Sequence, residues 1–234
     1  MAKNRRIRPL SDSVLLEGRS LWSVNANPGV AIRGESLRKF RGVEHRRWDP
    51  NRSKLAAALL RTRNNPSDLL PQAGSTVLYL GAGHGTTISH LHDHLCGSGN
   101  QKSGRLIAVD LAPRCLRDLT YLAEQRPGLV PVLGDARKFE TWGVLLPRKV
   151  NWLFQDVAQA GQVEIFTSAV RRFLSQDGIG LLSLKAASER HREASERDVF
   201  ASAIAKLSQE LELIEHINLT GFEDQHALFV VRRR

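Results

Sequence analysis

Between Val77 and Leu80 an apolar, β-prone segment runs into Gly81-Ala82-Gly83-His84-Gly85, and a helix-like stretch follows with Ile88, Leu91 and Leu95 at helical spacing. No other feature constrains the fold as strongly. A strand that ends in a G-x-G-x-G turn and re-enters a helix is the opening unit of a nucleotide-binding β–α–β site. Glycines let the backbone approach a ligand closely, and the first turn of the helix leaves N–H groups unpaired. Gly81, Gly83 and Gly85 are therefore candidate cofactor contacts. Alone, the turn points only to a nucleotide-like ligand, and a tight turn that binds nothing looks the same.

The chain downstream sharpens this reading. Strand patterns recur over residues 75–80, 104–110, 129–133, 150–155 and 178–185, with helical patterns between them. Such alternation predicts an α/β fold around a parallel sheet. Four of these strands end at Asp110, Asp135, Asp156 and Lys185, at the edge where open α/β sheets hold ligands. An acid at the position of Asp110 can accept hydrogen bonds from both hydroxyls of a ribose. A single terminal Asp is an ordinary turn residue. Four polar ends in series after a glycine turn favour a bound nucleoside cofactor. The tail changes rhythm: residues 195–210 predict a helix with Val199, Phe200, Ala203, Ile204 and Leu207 on one face. Residues 212–219 and 227–231 then predict an antiparallel pair.

Upstream, residues 1–10 carry Lys3, Arg5, Arg6 and Arg8 and read as a mobile basic arm. Short β-like pieces at 13–16, 21–24 and 30–32, separated by glycines, predict a small β-rich N-terminal domain. Trp48-Asp49-Pro50 marks a turn. Asn51 or Ser53 then caps a helix through Leu55–Leu60 that Pro66 ends. The expected division is 1–50 and 51–234. Residues 96–104 read as a flexible Gly/Ser surface loop.

The 234 residues carry 34 Lys and Arg against 24 Asp and Glu, a formal charge of +10. That excess suits a polyanionic partner, RNA or DNA before a membrane, or serves solubility alone. Phosphate contacts are expected from the arm and from Arg46, Arg47 and Arg52. Aromatic residues make up only 6% of the chain, so base stacking is a minor resource. No apolar run has the length of a membrane span and no signal-peptide pattern opens the chain. Cys96 and Cys115 have no metal-ligand spacing; they read as reduced thiols or, less readily, a pair bond. No metal is expected.

Asp156 and Lys185 end neighbouring predicted strands, so both are expected at the crevice. With Lys54, from the helix leading into the sheet, they form a Lys–Asp–Lys group suited to activating a sugar hydroxyl. Such a hydroxyl is a poor nucleophile at neutral pH. A lysine beside a second cation has a depressed pKa and can take the proton; the carboxylate orients, and the other lysine stabilises alkoxide charge. Spacing alone does not single out Lys54.

The stretches Arg47-Trp48-Asp49-Pro50-Asn51-Arg52-Ser53-Lys54-Leu55-Ala56-Ala57-Ala58, Gly134-Asp135-Ala136-Arg137, Gln155-Asp156-Val157-Ala158-Gln159 and Leu184-Lys185-Ala186, with Tyr79-Leu80-Gly81 and Gly85-Thr86-Thr87-Ile88-Ser89-His90, carry a family resemblance. Asp224-Gln225-His226-Ala227, Asn27-Pro28-Gly29 and Gly34-Glu35 extend it over nearly the whole chain. The sequence resembles fibrillarin-like RNA 2′-O-methyltransferases, the S-adenosyl-L-methionine-dependent subunit of box C/D ribonucleoproteins. The resemblance implies a Rossmann-like seven-stranded methyltransferase sheet behind a small β domain. It implies catalytic roles at Lys54, Asp156 and Lys185. It implies cofactor contacts at Thr86, Thr87, Asp110, Leu111, Asp135, Ala136, Asp156, Val157, Ala158 and Gln159. The chain departs from the family at Asp110-Leu111, where Glu-Phe is usual, and at His84, His92, Gly221 and Gln225.

The expected function is S-adenosyl-L-methionine-dependent 2′-O-methylation of ribose in rRNA or tRNA. The expected partners are a target RNA, a guide RNA and a scaffold protein, with no membrane. Two alternatives stand beside it: a non-catalytic ribonucleoprotein scaffold of the same fold, and a methyltransferase acting on protein side chains. The expected location is intracellular and soluble, cytoplasmic in a prokaryote and nucleolar in a eukaryote.

Overall fold

A computed structural model describes residues 6–146, 149–189 and 195–234. Five short strands come first: β1 (Ile7–Pro9), β2 (Val14–Glu17), β3 (Ser20–Val24), β4 (Leu37–Phe40) and β5 (Val43–Trp48). They form an antiparallel sheet in the order β1-β2-β3-β5-β4. Two expectations change here. Residues 7–9 of the supposed arm pair with β2, and Lys3 and Arg5 lie outside the described residues. Val30-Ala31-Ile32 is a loop rather than a strand. It follows a turn held by Asn25 and Glu44: Asn25 Nδ2 donates to the Val30 carbonyl at 3.2 Å, and the Gly29 N–H donates to Glu44 Oε1 at 2.7 Å. The missing strands are β4 and β5, joined by Arg41 and Gly42, both at positive φ. A two-residue loop with that handedness matches the twist of a hairpin, but Arg-Gly is a weaker signal for it than Asn-Gly.

Ser53 then caps α1 (Lys54–Arg61) through a bond from the Ala56 N–H. This helix stops at Arg61, before Pro66, which instead opens a 3₁₀ turn. The β/α alternation follows as β6 (Thr76–Leu80), α2 (Thr86–Cys96), β7 (Arg105–Asp110), α3 (Pro113–Glu124), β8 (Leu129–Leu133), α4 (Phe139–Trp142), β9 (Val150–Gln155), α5 (Gln162–Phe173) and β10 (Leu174–Lys185). After α6 (Ala186–Glu189) come α7 (Glu196–Glu210), β11 (Leu211–Asn218) and β12 (His226–Arg233). The seven-stranded sheet has the order β11-β12-β10-β9-β6-β7-β8. Its five central and edge strands from β10 to β8 are parallel, while β12 runs antiparallel to β10 and β11. Strand order reverses at β6 and β9, and a ligand crevice belongs at that switch point. Within the expected loop at 96–104, Ser98–Asn100 forms a 3₁₀ turn, and the segment is tied down where the Lys102 N–H donates to the Cys96 carbonyl and Lys102 Nζ to the His94 carbonyl. Cys96 and Cys115 are both free and buried.

Alternation along each strand makes two cores. Val77, Tyr79, Trp152 and Phe154 face α1, α2, α3 and the N-terminal sheet. Leu78, Leu80, Leu153 and Leu182 face α5 and α7. The N-terminal sheet lies on α2, so that every residue from Thr87 to Cys96 is buried. Polar residues of this helix therefore need partners. Asp93 Oδ2 accepts from Arg46 at 2.7 Å, and neither side chain is exposed. Arg46 also pairs with Glu35, and Arg126 Nε reaches Asp93 Oδ1 at 3.3 Å. Ser23 Oγ lies 2.7 Å from His90 Nδ1, and Ser13 Oγ 2.5 Å from His94 Nδ1. The expected phosphate contact at Arg46 is thus excluded: its guanidinium is sealed inside this network, while Arg47 and Arg52 are exposed.

Removing one member of a buried ion network leaves its partners charged and unsolvated, which costs about 3–5 kcal/mol. Asp93→Ala is expected to lose that much in chemical denaturation, against less than about 1 kcal/mol for Glu212→Ala on an exposed strand position. Burial, with help from Arg46 and Arg126, pushes His90 well below the ordinary histidine value of 6.5, and burial also lowers His94. Both resist protonation in the folded chain, so the unfolded chain takes up protons first. Stability is therefore full above about pH 6.5 and falls as the pH drops below it. Melting temperatures between pH 7.5 and 5 will show this slope, and His90→Gln will flatten it.

Candidate active site

Gly81 fixes where the crevice opens. A Cβ there would sit 2.2 Å from the Asp156 carbonyl oxygen, so only glycine lets the end of β9 cross the glycine turn. The Asp156 N–H donates to the Leu80 carbonyl at 2.8 Å. Ser53, the cap of α1, accepts from Thr87 Oγ1 at 3.0 Å. Capping thereby ties the start of α1 to the start of α2 and sets Lys54, the first residue of α1, at the cleft wall. Lys54 Nζ lies 3.2 Å from Asp156 Oδ2. No spacing along the chain pairs these two residues; the fold brings them together.

The cleft has a volume of about 600 Å³ and is lined by Lys54, Gly81, Gly83, Val109, Asp110, Leu111, Ala112, Gly134, Ala136, Asp156, Val157, Ala158 and Gln159. That is room for a nucleoside-sized ligand. Nothing lies within 4 Å of a Cβ built on Gly83, so the turn is open there. Asp110 accepts from the Gly83 N–H at 2.7 Å and the Ala112 N–H at 2.9 Å. These bonds hold the turn and leave each carboxylate oxygen a further lone pair. Leu111 is more than half exposed.

Other expected residues lie beside the cleft rather than in its wall. Gly85 caps α2 at φ 87° and packs against α3, where a Cβ would meet Leu122 at 2.9 Å. Thr86 is the first residue of α2, and Thr87 is buried against Ser53. Asp135 accepts from Arg137 and, at 3.3 Å, from Gln159 Nε2. The Arg137 side chain above all, with its backbone N–H and Gln159, holds this carboxyl well below the usual range. Lys185 ends β10, opposite His226 of β12. Its side chain is exposed and has no ion pair or hydrogen bond among the described residues. Lys54 and Asp156 are thus joined directly, and Lys185 is brought to the same edge of the sheet without touching them.

The electrostatics correct one expectation. Burial opposes the charge of Lys54, but the carboxylates of Asp156 and Glu223 outweigh it and raise its pKa above the ordinary lysine value. The depressed pKa expected of one lysine is therefore not found at Lys54, which holds its proton more firmly than an ordinary lysine. Glu223 lies in the loop before β12, and no motif or spacing marked it. The departure at His84 also has a place: Nδ1 lies 2.7 Å from Asp118 Oδ2 on α3, and its carbonyl accepts from Arg33. Among the described residues no three His, Cys, Asp or Glu form a metal-binding group, and no helix is long and apolar enough to cross a membrane.

A parallel sheet with its cleft at the switch point, a glycine turn feeding α2 and a β-strand hairpin closing the far edge define an α/β protein of the seven-stranded methyltransferase type. Comparison with known proteins narrows this. The Fibrillarin family model matches residues 13–234. A fibrillarin-like rRNA/tRNA 2′-O-methyltransferase of Methanosarcina barkeri is 40% identical over 227 residues, covering 94% of this chain and 95% of its own. The Aeropyrum pernix fibrillarin structure, with natively bound S-adenosyl-L-methionine, superposes with a TM-score of 0.80 at 32% identity, over 99% of this chain and all of its own. Fibrillarin in a complex with Nop5p gives 0.79 at 29% identity, over 98% of both chains. The chain belongs to the fibrillarin family.

The ion pair makes a prediction about Lys54. With Asp156→Asn, burial is no longer offset and the Lys54 pKa falls; Glu223→Gln lowers it less. Nitrogen-detected NMR titration of the lysine Nζ groups measures both shifts, and an unchanged Lys54 in Asp156→Asn would remove the pair.

Proposed function

We propose that this chain methylates the ribose 2′-hydroxyl of rRNA or tRNA with S-adenosyl-L-methionine, within a box C/D-type ribonucleoprotein. One observation carries the reading: the Lys54–Asp156 pair at 3.2 Å lies in the wall of the nucleoside-sized cleft. The name of the Methanosarcina relative supports the reaction, the Aeropyrum complex the cofactor, and the Nop5p complex a scaffold-protein partner. The guide RNA belongs to that assembly. Domains divide at 50/51 in this reading, after the last strand of the N-terminal sheet. The archaeal origin of the relatives supports a cytoplasmic location.

The residues fit the cofactor. Gly81 and Gly83 line the cleft and would give it close backbone approach, and Gly85, Thr86 and Thr87, at the start of α2 beside the cleft, would hold its carboxylate end through the free N–H groups there. Asp110 would take the ribose, and Leu111, Asp135, Ala136, Val157, Ala158 and Gln159 would hold the rest of the nucleoside. When bound, the cofactor supplies an electrophilic methyl group on a sulfonium. The protein's part is alignment and charge. Asp156 holds the Lys54 ammonium, which stabilises negative charge growing on the 2′-oxygen as its proton leaves. Lys185, free of a carboxylate partner among the described residues, is the group assigned to receive that proton, acting as the unprotonated amine and leaving as the ammonium. Holding the cofactor and the 2′-hydroxyl side by side would supply much of the remaining rate. Exposed Arg47 and Arg52 flank the entry to α1 and contact phosphates, so RNA affinity falls with salt.

Single-turnover methyl transfer in the assembled guide complex tests the reading. Lys185→Ala and Asp156→Ala are expected to slow it by about 10²–10⁴-fold, and Lys54→Ala by less. Calorimetry checks cofactor binding separately, and Asp156→Asn separates charge from shape. Wild-type rates in all three variants would place the chemistry elsewhere, and a wild-type protein inert with a cognate guide would make the chain a scaffold.

A further inference from the structure

Lys54 is placed by its partner Asp156, but Lys185 has no such partner among the described residues. Its main chain, however, is held by named bonds. β10 leaves β9 before it reaches this lysine: the last parallel pairing is Leu182 with Gln155. On that side the main chain of Lys185 is met by a side chain. Gln162, the first residue of α5, is fully buried. Its Oε1 accepts from the Lys185 N–H at 3.1 Å, and its Nε2 donates to the Lys185 carbonyl at 3.3 Å. One amide thus pairs with both main-chain groups of one residue, as a neighbouring strand would.

Gln162 is itself held at both of its main-chain groups. Its N–H donates to Glu189 Oε1 at 2.6 Å, just past Lys185 in the chain. Its carbonyl accepts from Gln155 Nε2 at 2.7 Å, and Gln155 is buried and directly precedes Asp156. The far side of the lysine turn is closed by the Ala186 N–H donating to the Gln225 carbonyl at 2.9 Å, with Gln225 at φ 61°. A continuous chain of bonds therefore runs from the residue before Asp156, through Gln162, to the main chain of Lys185. We propose that Gln162 is the positioning residue for Lys185, setting the end of β10 so that the lysine amine meets the 2′-hydroxyl in register with Asp156. The inference rests on the assignment of Lys185 to the reaction.

The test is a double-mutant cycle in the assembled guide complex, read by single-turnover methyl transfer at saturating cofactor and RNA. Gln162→Met keeps the volume and deletes both bonds. Gln162→Asn keeps a buried amide too short to span them and serves as the second variant should methionine unfold the helix start. A displacement of about 1 Å at a reacting group can cost on the order of 10²-fold, so each variant is expected to slow transfer by about 10–10²-fold. Cofactor affinity by calorimetry is expected to stay within about twofold, because Gln162 is outside the cleft wall. In a Lys185→Ala background either Gln162 substitution is expected to add no further loss. Wild-type rates in both folded variants, or losses that multiply fully with Lys185→Ala, would overturn the positioning role and leave the Lys185 assignment standing. A Lys185→Ala protein that transfers methyl at the wild-type rate would instead fell the assignment, and this inference with it.

Discussion

The buried pair between Arg46 and Asp93 is the interaction on which the rest is arranged. It joins a strand of the N-terminal sheet to the middle of α2 at a point where neither group meets water. Apolar packing is non-directional and would let the small sheet slide over the helix. Two charge-assisted bonds from one guanidinium, at 2.7 and 3.0 Å to the same carboxylate oxygen, fix one register. His90 and His94, bonded to Ser23 and Ser13, repeat that fixation along the helix. The N-terminus of α2 is the glycine turn. Locking the helix therefore locks the backbone that faces the cofactor cleft.

The active edge uses the same economy of partners. Asp110 and Asp135 already accept hydrogen bonds from the protein, which holds their turns in shape before any ligand arrives. Asp156 and Glu223 keep Lys54 charged. A site built this way needs little reorganisation when charge develops on the substrate, and that is where electrostatic catalysis draws its strength. Lys185 is the contrast: exposed, without a carboxylate partner among the described residues, and held at its main chain.

Much of the sheet was legible because strand-end residues announce themselves. An apolar run that stops at Asp110, Asp135 or Asp156 marks both a strand and its ligand edge. The helix over 195–210 and the closing hairpin followed from periodicity alone. The misses have local causes. Val30-Ala31-Ile32 has β-prone residues, yet Asn25 and Glu44 hold the preceding turn and leave it as a loop. Arg41-Gly42 carries a hairpin without its usual sequence signal. Arg46 looked like a phosphate contact because a charge in a sequence does not say which way it faces.

The sequence by itself determined the α/β class, the glycine turn, the acids at the strand ends and, through its family motifs, the three residues assigned to catalysis. These depend on short-range geometry: turn conformation, alternation and helical period all act within a few residues. Only the tertiary structure decided that Lys54 meets Asp156, that Glu223 reinforces its charge, that Gln162 holds the main chain of Lys185 and that Arg46 is sealed inside. Each of these joins segments distant along the chain. Burial and the distance between charges, which set both the pKa of Lys54 and the cost of breaking the Asp93 network, exist only once those segments are packed together.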